Sequence, residues 1–148
     1  MANQTESSIV IDALPAAIMD VIADLEAYPE WSDGIHQVVV LSEFADDGRP
    51  ATARFYLESG PIRDTYELEY DWDGNREVSW WLTTGDMLKA MDGTYSLHDN
   101  GDGTTTVAYR LAVDVKIPMI GMIKRKAEKV IVDTALRGLK RRVESAAP

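Results

Sequence analysis

Five clusters of turn-forming residues recur at short, even intervals between residues 46 and 103, and they constrain the fold more than any other feature of the chain. Asp46-Asp47-Gly48, Ser59-Gly60-Pro61, Asp73-Gly74-Asn75, Thr84-Gly85-Asp86 and Asn100-Gly101-Asp102-Gly103 each combine residues that accept positive φ or fix a turn. The stretches between them alternate apolar and polar residues with a period of two. That spacing predicts an antiparallel meander with strands near 35 to 45, 50 to 58, 62 to 72, 76 to 83, 88 to 98 and 104 to 115, preceded by a strand at 7 to 12.

The register of one hairpin follows from charge. If the turn at Gly60-Pro61 pairs Glu58 with Arg63, Arg54 falls opposite Glu67, and two opposite-charge pairs mark one face. Phe55, Leu57, Tyr66, Leu68 and Tyr70 collect on the other. Glu67, Glu69 and Asp71 share the charged, solvated face, which argues against a general acid/base role for them.

Between the first strand and the meander, Pro15 suits the first turn of a helix, and Ile18, Val21, Ile22 and Leu25 follow at helical spacing. Pro29 disfavours an α conformation at Tyr28, so the chain is expected to bend there and restart as a second short helix. From about Met119 to Ser145 one long helix is expected, with Ile123, Ala127, Val130, Ile131, Val132, Leu136, Leu139 and Val143 sweeping a broad apolar arc. So much apolar circumference predicts a helix gripped inside a strongly curved sheet, with loops on a second side.

The inner face is rich in amphipathic and pliable side chains. Tyr66, Tyr70, Trp80, Tyr95 and Tyr109, with Met91, Met119 and Met122, fit the lining of a cavity or an aromatic core whose hydroxyls find backbone partners. Asp64 and Lys89 fall inward near strand ends by alternation, either to orient an apolar ligand or to reach water at the rim. Alternation leaves open whether Trp80 or Trp81 faces inward, with Val78, Trp80 and Leu82 the more coherent inner set; an outward Trp81 would be a surface tryptophan or a dimer contact.

Composition narrows the chemistry. The 148 residues suit one domain, 1 to 148, and 45% apolar with 27% charged residues describes a globular chain. With no cysteine, thiolate metal sites and cysteine nucleophiles are excluded. His36 and His98 lack a partner at ligand spacing, so neither a metal nor a cofactor is expected. "GDGT" at 101 to 104 lacks the lysine of a phosphate loop and the spaced acids of a calcium loop, and reads as a hairpin turn. No apolar run approaches the ~20 residues of a membrane span, and no basic segment leads into an apolar one at the start, so the cytoplasm is the expected location.

The net charge of −10 hides an asymmetry: residues 116 to 148 carry nine of the fifteen basic and three of the 25 acidic residues, a balance of +6 against −16 for the rest. Lys124-Arg125-Lys126 and Lys140-Arg141-Arg142 could meet a membrane or the phosphates of RNA, or simply complement an acidic sheet. The acidic body would repel DNA, and no DNA partner is expected.

Three segments, "IVIDALPAAIMDVIADLEAYPEW", "LKAMDGTYSL" and "GTTTVAYRLAVDVKIPMIGMIKRKAEKVI", resemble the polyketide cyclase/dehydrase branch of the START-like (SRPBCC) superfamily, including its small actinobacterial members and the coenzyme Q-binding START proteins. The resemblance covers essentially the whole chain. It implies the α+β helix-grip fold, β-α-α-β6-α, with a seven-stranded antiparallel sheet wrapped around a long C-terminal helix. It also implies a cavity for a lipid, quinone or polyketide-like molecule, with Tyr28 and Trp31 at its entrance or plugging one end of the sheet. Aromatase/cyclase members carry an arginine on the central strands; here that strand places tyrosines inward, a departure that argues for a carrier or sensor rather than a cyclase or dehydrase. The resemblance also admits a transient ribosome contact, and a monomer or weak dimer is expected.

Overall fold

The computed structural model describes residues 4–59, 62–116 and 121–145. Strand β1 (Thr5–Ile11) leads into helix α1 (Pro15–Ala23) and a 3-10 helix (Leu25–Glu30). Six strands follow: β2 (Ile35–Glu43), β3 (Pro50–Ser59), β4 (Ile62–Asp73), β5 (Glu77–Thr84), β6 (Leu88–Asp99) and β7 (Thr105–Val115). Helix α2 (Gly121–Ser145) completes the chain. The strands form one antiparallel sheet in the order β1-β7-β6-β5-β4-β3-β2, so the meander closes back on the first strand.

The charge-based register holds: Glu58 pairs with Arg63 and Arg54 with Glu67. On the outer face the Arg54 guanidinium lies 3.0 Å from the Glu67 carboxylate. The opposite face buries Ala53, Phe55, Tyr66, Leu68 and Tyr70. Turn glycines supply the positive φ that the hairpins need, 53° at Gly74 and 83° at Gly101.

Two expectations about the helices need correction. The break in the first helical segment falls at Asp24, not at Tyr28, and a 3-10 helix runs on through Pro29. The Tyr28 hydroxyl, donating to the Ile22 carbonyl at 2.6 Å, ties that 3-10 turn back to α1. The second correction concerns α2, which buries Glu128, Val132, Leu136, Gly138, Leu139 and Val143 while Ile123, Val130 and Ile131 are 54, 59 and 46% exposed. The sheet grips only one side of this helix. A second contact is made farther along, where the Trp31 carbonyl would stand 2.7 Å from any Cβ at Gly138, so only glycine allows this approach.

Both sheet edges are blocked by carboxylates and helices. At the β1 edge, Glu128 accepts from the Thr5 hydroxyl (2.8 Å) and from the Val113 N–H of β7 (2.7 Å), just beyond the end of its pairing with β1, Lys140 donates to the Val10 carbonyl (2.8 Å), and Glu144 accepts from the Asp12 N–H that follows β1 (2.9 Å). At the other edge Glu26 accepts from the Val40 N–H of β2. These contacts satisfy edge groups that would otherwise template another strand.

Candidate ligand-binding interior

Aromatic rings from the 3-10 helix, its C-cap and the inner face of the sheet form two runs. One passes from Trp31 to Tyr28 (4.7 Å between centroids), Phe55 (6.3 Å) and Tyr66 (5.3 Å, stacked). The other passes from Trp72 to Tyr70 (5.6 Å), Trp80 (6.0 Å) and the Tyr95–Tyr109 pair, whose centroids lie 4.5 Å apart. Strand alternation explains the arrangement, since Tyr66 and Tyr70, Val78 and Trp80, and Tyr95 and Leu97 occupy like-facing positions.

Trp80 owes its place to a neighbour without a side chain. It pairs with Gly93, and a Cβ there would meet its indole atoms at 2.3 Å. The ring therefore lies flat on the backbone of β6, which gives a physical reason for the glycine of "LKAMDGTYSL". Trp81 points outward, 38% exposed, and donates its indole N–H to Glu69 at 2.8 Å.

The tyrosine hydroxyls converge. Burial is the first cause that raises the phenol pKa of Tyr28, Tyr66, Tyr70, Tyr95 and Tyr109 above the ordinary value, and charge on Tyr109 would raise those of the other four further. All five are neutral donors at physiological pH. The Tyr28 hydroxyl is used locally, but among the described residues those of Tyr66, Tyr70, Tyr95 and Tyr109 have no hydrogen-bond partner, although these residues are only 4–7% exposed. Among the described residues, the indole N–H of Trp31 is the side-chain polar atom that is both sealed from solvent and unpartnered. An unpaired buried donor typically costs about 1–3 kcal/mol, so such a group is a place where a bound molecule gains most by supplying an acceptor.

The other expected ligand contacts divide between the interior and the surface. Asp64 lies on the buried face with Tyr66 and Tyr70, as alternation places it, and its carboxylate accepts the backbone N–H groups of Asp86, Met87 and Leu88 at 3.0, 3.1 and 2.9 Å, so it pins the β5–β6 loop. Lys89 does not point inward: the register shift between Leu88 and Ala90 reverses the alternation and leaves it exposed. Met122 sits on the outer side of α2, 76% exposed. Met91 is partly buried against the core, and Met119 lies outside the described residues. His36 and His98 are both exposed, and no group of metal-binding side chains occurs among the described residues. Open depressions occur on the outer face over Ser79, Trp81 and Asp92, and at the rim beside His36, Glu58 and Arg63.

Sequence reasoning missed Glu128, which is 2% exposed. In the sequence it merely interrupts an apolar arc, and the only available signal is an acidic residue amid positions that are buried.

The sequence profile described as polyketide cyclase / dehydrase and lipid transport matches residues 3–144. The chain belongs to this family. The polyketide cyclase/dehydrase fold is confirmed by solved structures, among them a START superfamily protein from Mycobacterium smegmatis, 23% identical over 97% of this chain and 99% of that one, with a TM-score of 0.90. A protein from Thermus thermophilus is 21% identical, covering 98% and 99% of the two chains, with a TM-score of 0.80. The Zhui aromatase/cyclase from Streptomyces sp. R1128 is 14% identical over 99% of each chain, with a TM-score of 0.76. No curated protein matches the sequence. At these identities the likeness establishes the helix-grip fold, and the family places the chain among proteins of hydrophobic-ligand type.

Proposed function

We propose that this protein encloses a small, mainly apolar molecule bearing acceptor oxygens, such as a lipid, quinone or polyketide-like compound, between the curved sheet and α2, as a carrier or sensor. The observation that carries this reading is the set of four buried phenols, Tyr66, Tyr70, Tyr95 and Tyr109, without partners among the described residues. Phenols on an aromatic floor offer hydrogen bonds to carbonyl or hydroxyl oxygens and stacking to the rest of the guest. Trp31 and Tyr28 stand at the junction of the 3-10 helix with α2, where Glu30 pairs with Arg142 at 2.9 Å. Loosening this junction is the simplest way to admit a guest.

A cyclase or dehydrase reading draws on the family and on the aromatase/cyclase neighbours. Phenols could hold the carbonyl oxygens of such a substrate, but their raised pKa values make them poor bases at neutral pH, and Asp64 is committed to a loop. Binding without turnover fits these groups better.

Native mass spectrometry of the protein gently released from its own host tests the proposal by revealing a co-purified mass. Fluorescence titration with a quinone or polyphenol probe then compares the protein with Tyr70→Phe and Tyr109→Phe, each expected to weaken binding by about 3- to 10-fold, the worth of one hydrogen bond. Absence of any bound mass together with unchanged fluorescence across such probes would overturn it.

A further inference from the structure

The outward side of α2 carries two parallel rows that the fold leaves uncovered. Met122, Lys126 and Val130 recur at every fourth residue, with Ile123, Ala127 and Ile131 beside them, and all six are exposed. On the opposite side Glu128, Val132 and Leu136 are buried against the sheet.

The basic residues of this helix divide into two groups. Lys124, Lys129, Lys140 and Arg142 pair with Asp114, Asp133, Glu144 and Glu30 at 2.7–2.9 Å. Lys126, Arg137 and Arg141, on the same side as the two rows, are exposed and have no carboxylate within ion-pair distance among the described residues, whereas Arg125 turns back toward Gly121 on the side of Glu128. Unpaired cations flanking exposed aliphatic side chains define one chemistry: a surface that is negatively charged at its plane and apolar just beneath it.

We propose that this face of α2 docks on anionic lipid bilayers, with Met122, Ile123, Val130 and Ile131 entering the headgroup boundary and Lys126, Arg137 and Arg141 meeting lipid phosphates and carboxylates. The docking goes beyond guest binding and does not depend on it. Two other occupants fit less well. RNA would use the cations and leave four aliphatic side chains without a partner. A second copy related by a two-fold axis through the patch would set Lys126 against its own counterpart, a like-charge contact. The acidic Glu67, Glu69 and Asp71 stand on strand β4, beyond the inner face on which α2 lies. A sheet and helix are about 10 Å apart, a little more than the roughly 8 Å Debye length at physiological salt, so these charges are largely screened from the docking plane.

Flotation of the full chain with vesicles of phosphatidylcholine alone, or mixed with phosphatidylserine, tests the proposal. The protein is expected to float with the mixed vesicles only, and less so as salt is raised. Lys126→Gln/Arg137→Gln should weaken binding about 25-fold, fivefold per charge, which corresponds to ~1 kcal/mol each at a lipid surface. Val130→Gln/Ile131→Gln should weaken it as well while leaving the thermal melt unchanged, since both residues are exposed. Equal binding to neutral vesicles, or no loss in the apolar double variant, would overturn the docking. So would a dimer in sedimentation that Val130→Gln/Ile131→Gln dissolves, or RNA binding that this variant leaves intact. Probe titration of the full chain without vesicles separates the two proposals: no flotation with guest binding retained refutes only the docking, and the converse refutes only the enclosed guest.

Discussion

Gly93→Ala tests the arrangement of the interior most directly. A Cβ at this position would lie 2.3, 2.3 and 2.6 Å from the Cε2, Cζ2 and Nε1 atoms of Trp80. Ordinary carbon contacts are about 3.5–4.0 Å, so the indole must withdraw by more than an ångström from the backbone of β6. The open direction is inward, toward Tyr95 and Tyr109, whose centroids are 5.3 and 5.7 Å away. Overpacking of this kind costs about 1–3 kcal/mol, offset by about 0.4–1 kcal/mol from the smaller entropy of the unfolded alanine chain. The expected net loss is ~1–2 kcal/mol in urea unfolding, with weaker probe binding because the ring intrudes on the phenols. In a Trp80→Leu background the same substitution should be neutral or slightly stabilising. The double-mutant cycle should therefore give a coupling energy of about 1–3 kcal/mol. If Gly93→Ala costs as much without the indole as with it, the glycine is not there to seat Trp80, and the account of the interior fails.

Other outcomes follow from the same geometry. Glu128→Ala removes the acceptor of the Val113 N–H and the Thr5 hydroxyl, and should destabilise by about 3 kcal/mol, whereas Glu128→Gln, able to accept from one and donate to the other, should lose about 1 kcal/mol; urea midpoints distinguish them. Asp64→Ala should loosen the β5–β6 loop, seen as faster amide exchange at Asp86, Met87 and Leu88. In alkali, the five phenols whose pKa values are raised by burial stay neutral in the folded chain but ionise in the unfolded one. Their contribution is fully present below about pH 10 and is lost as pH rises further, so melting temperature should fall steeply there while ultraviolet titration shows no ionisation of the folded core. In acid the sign reverses. Hydrogen bonds from Lys124, Lys129 and Lys140 lower the pKa values of Asp114, Asp133 and Glu144, so the stability they lend to α2 is present above roughly pH 4–5 and is lost as pH falls through and below the ordinary carboxylate range. A melt that is flat from neutral pH to about pH 3 would contradict this.

The local alternation and the turn residues determined the strands, their order in the meander and the register of the β3–β4 hairpin, because a period of two and a charge pair leave little choice once one face is buried. They favoured Trp80 over Trp81 as the inward residue of β5 without deciding it, and the structure places Trp80 inward. The direction of side chains at irregularities was decided only in three dimensions: a bulge turned Lys89 to solvent, and a loop folding back onto β4 took up the Asp64 carboxylate. The same holds for α2. Its sequence is apolar over a broad arc, but which part of that arc is covered depends on where the sheet edge and Trp31 touch it, and those contacts come from residues more than a hundred positions away. Periodicity records what a segment is able to bury, and only the packing of distant segments decides what it does bury.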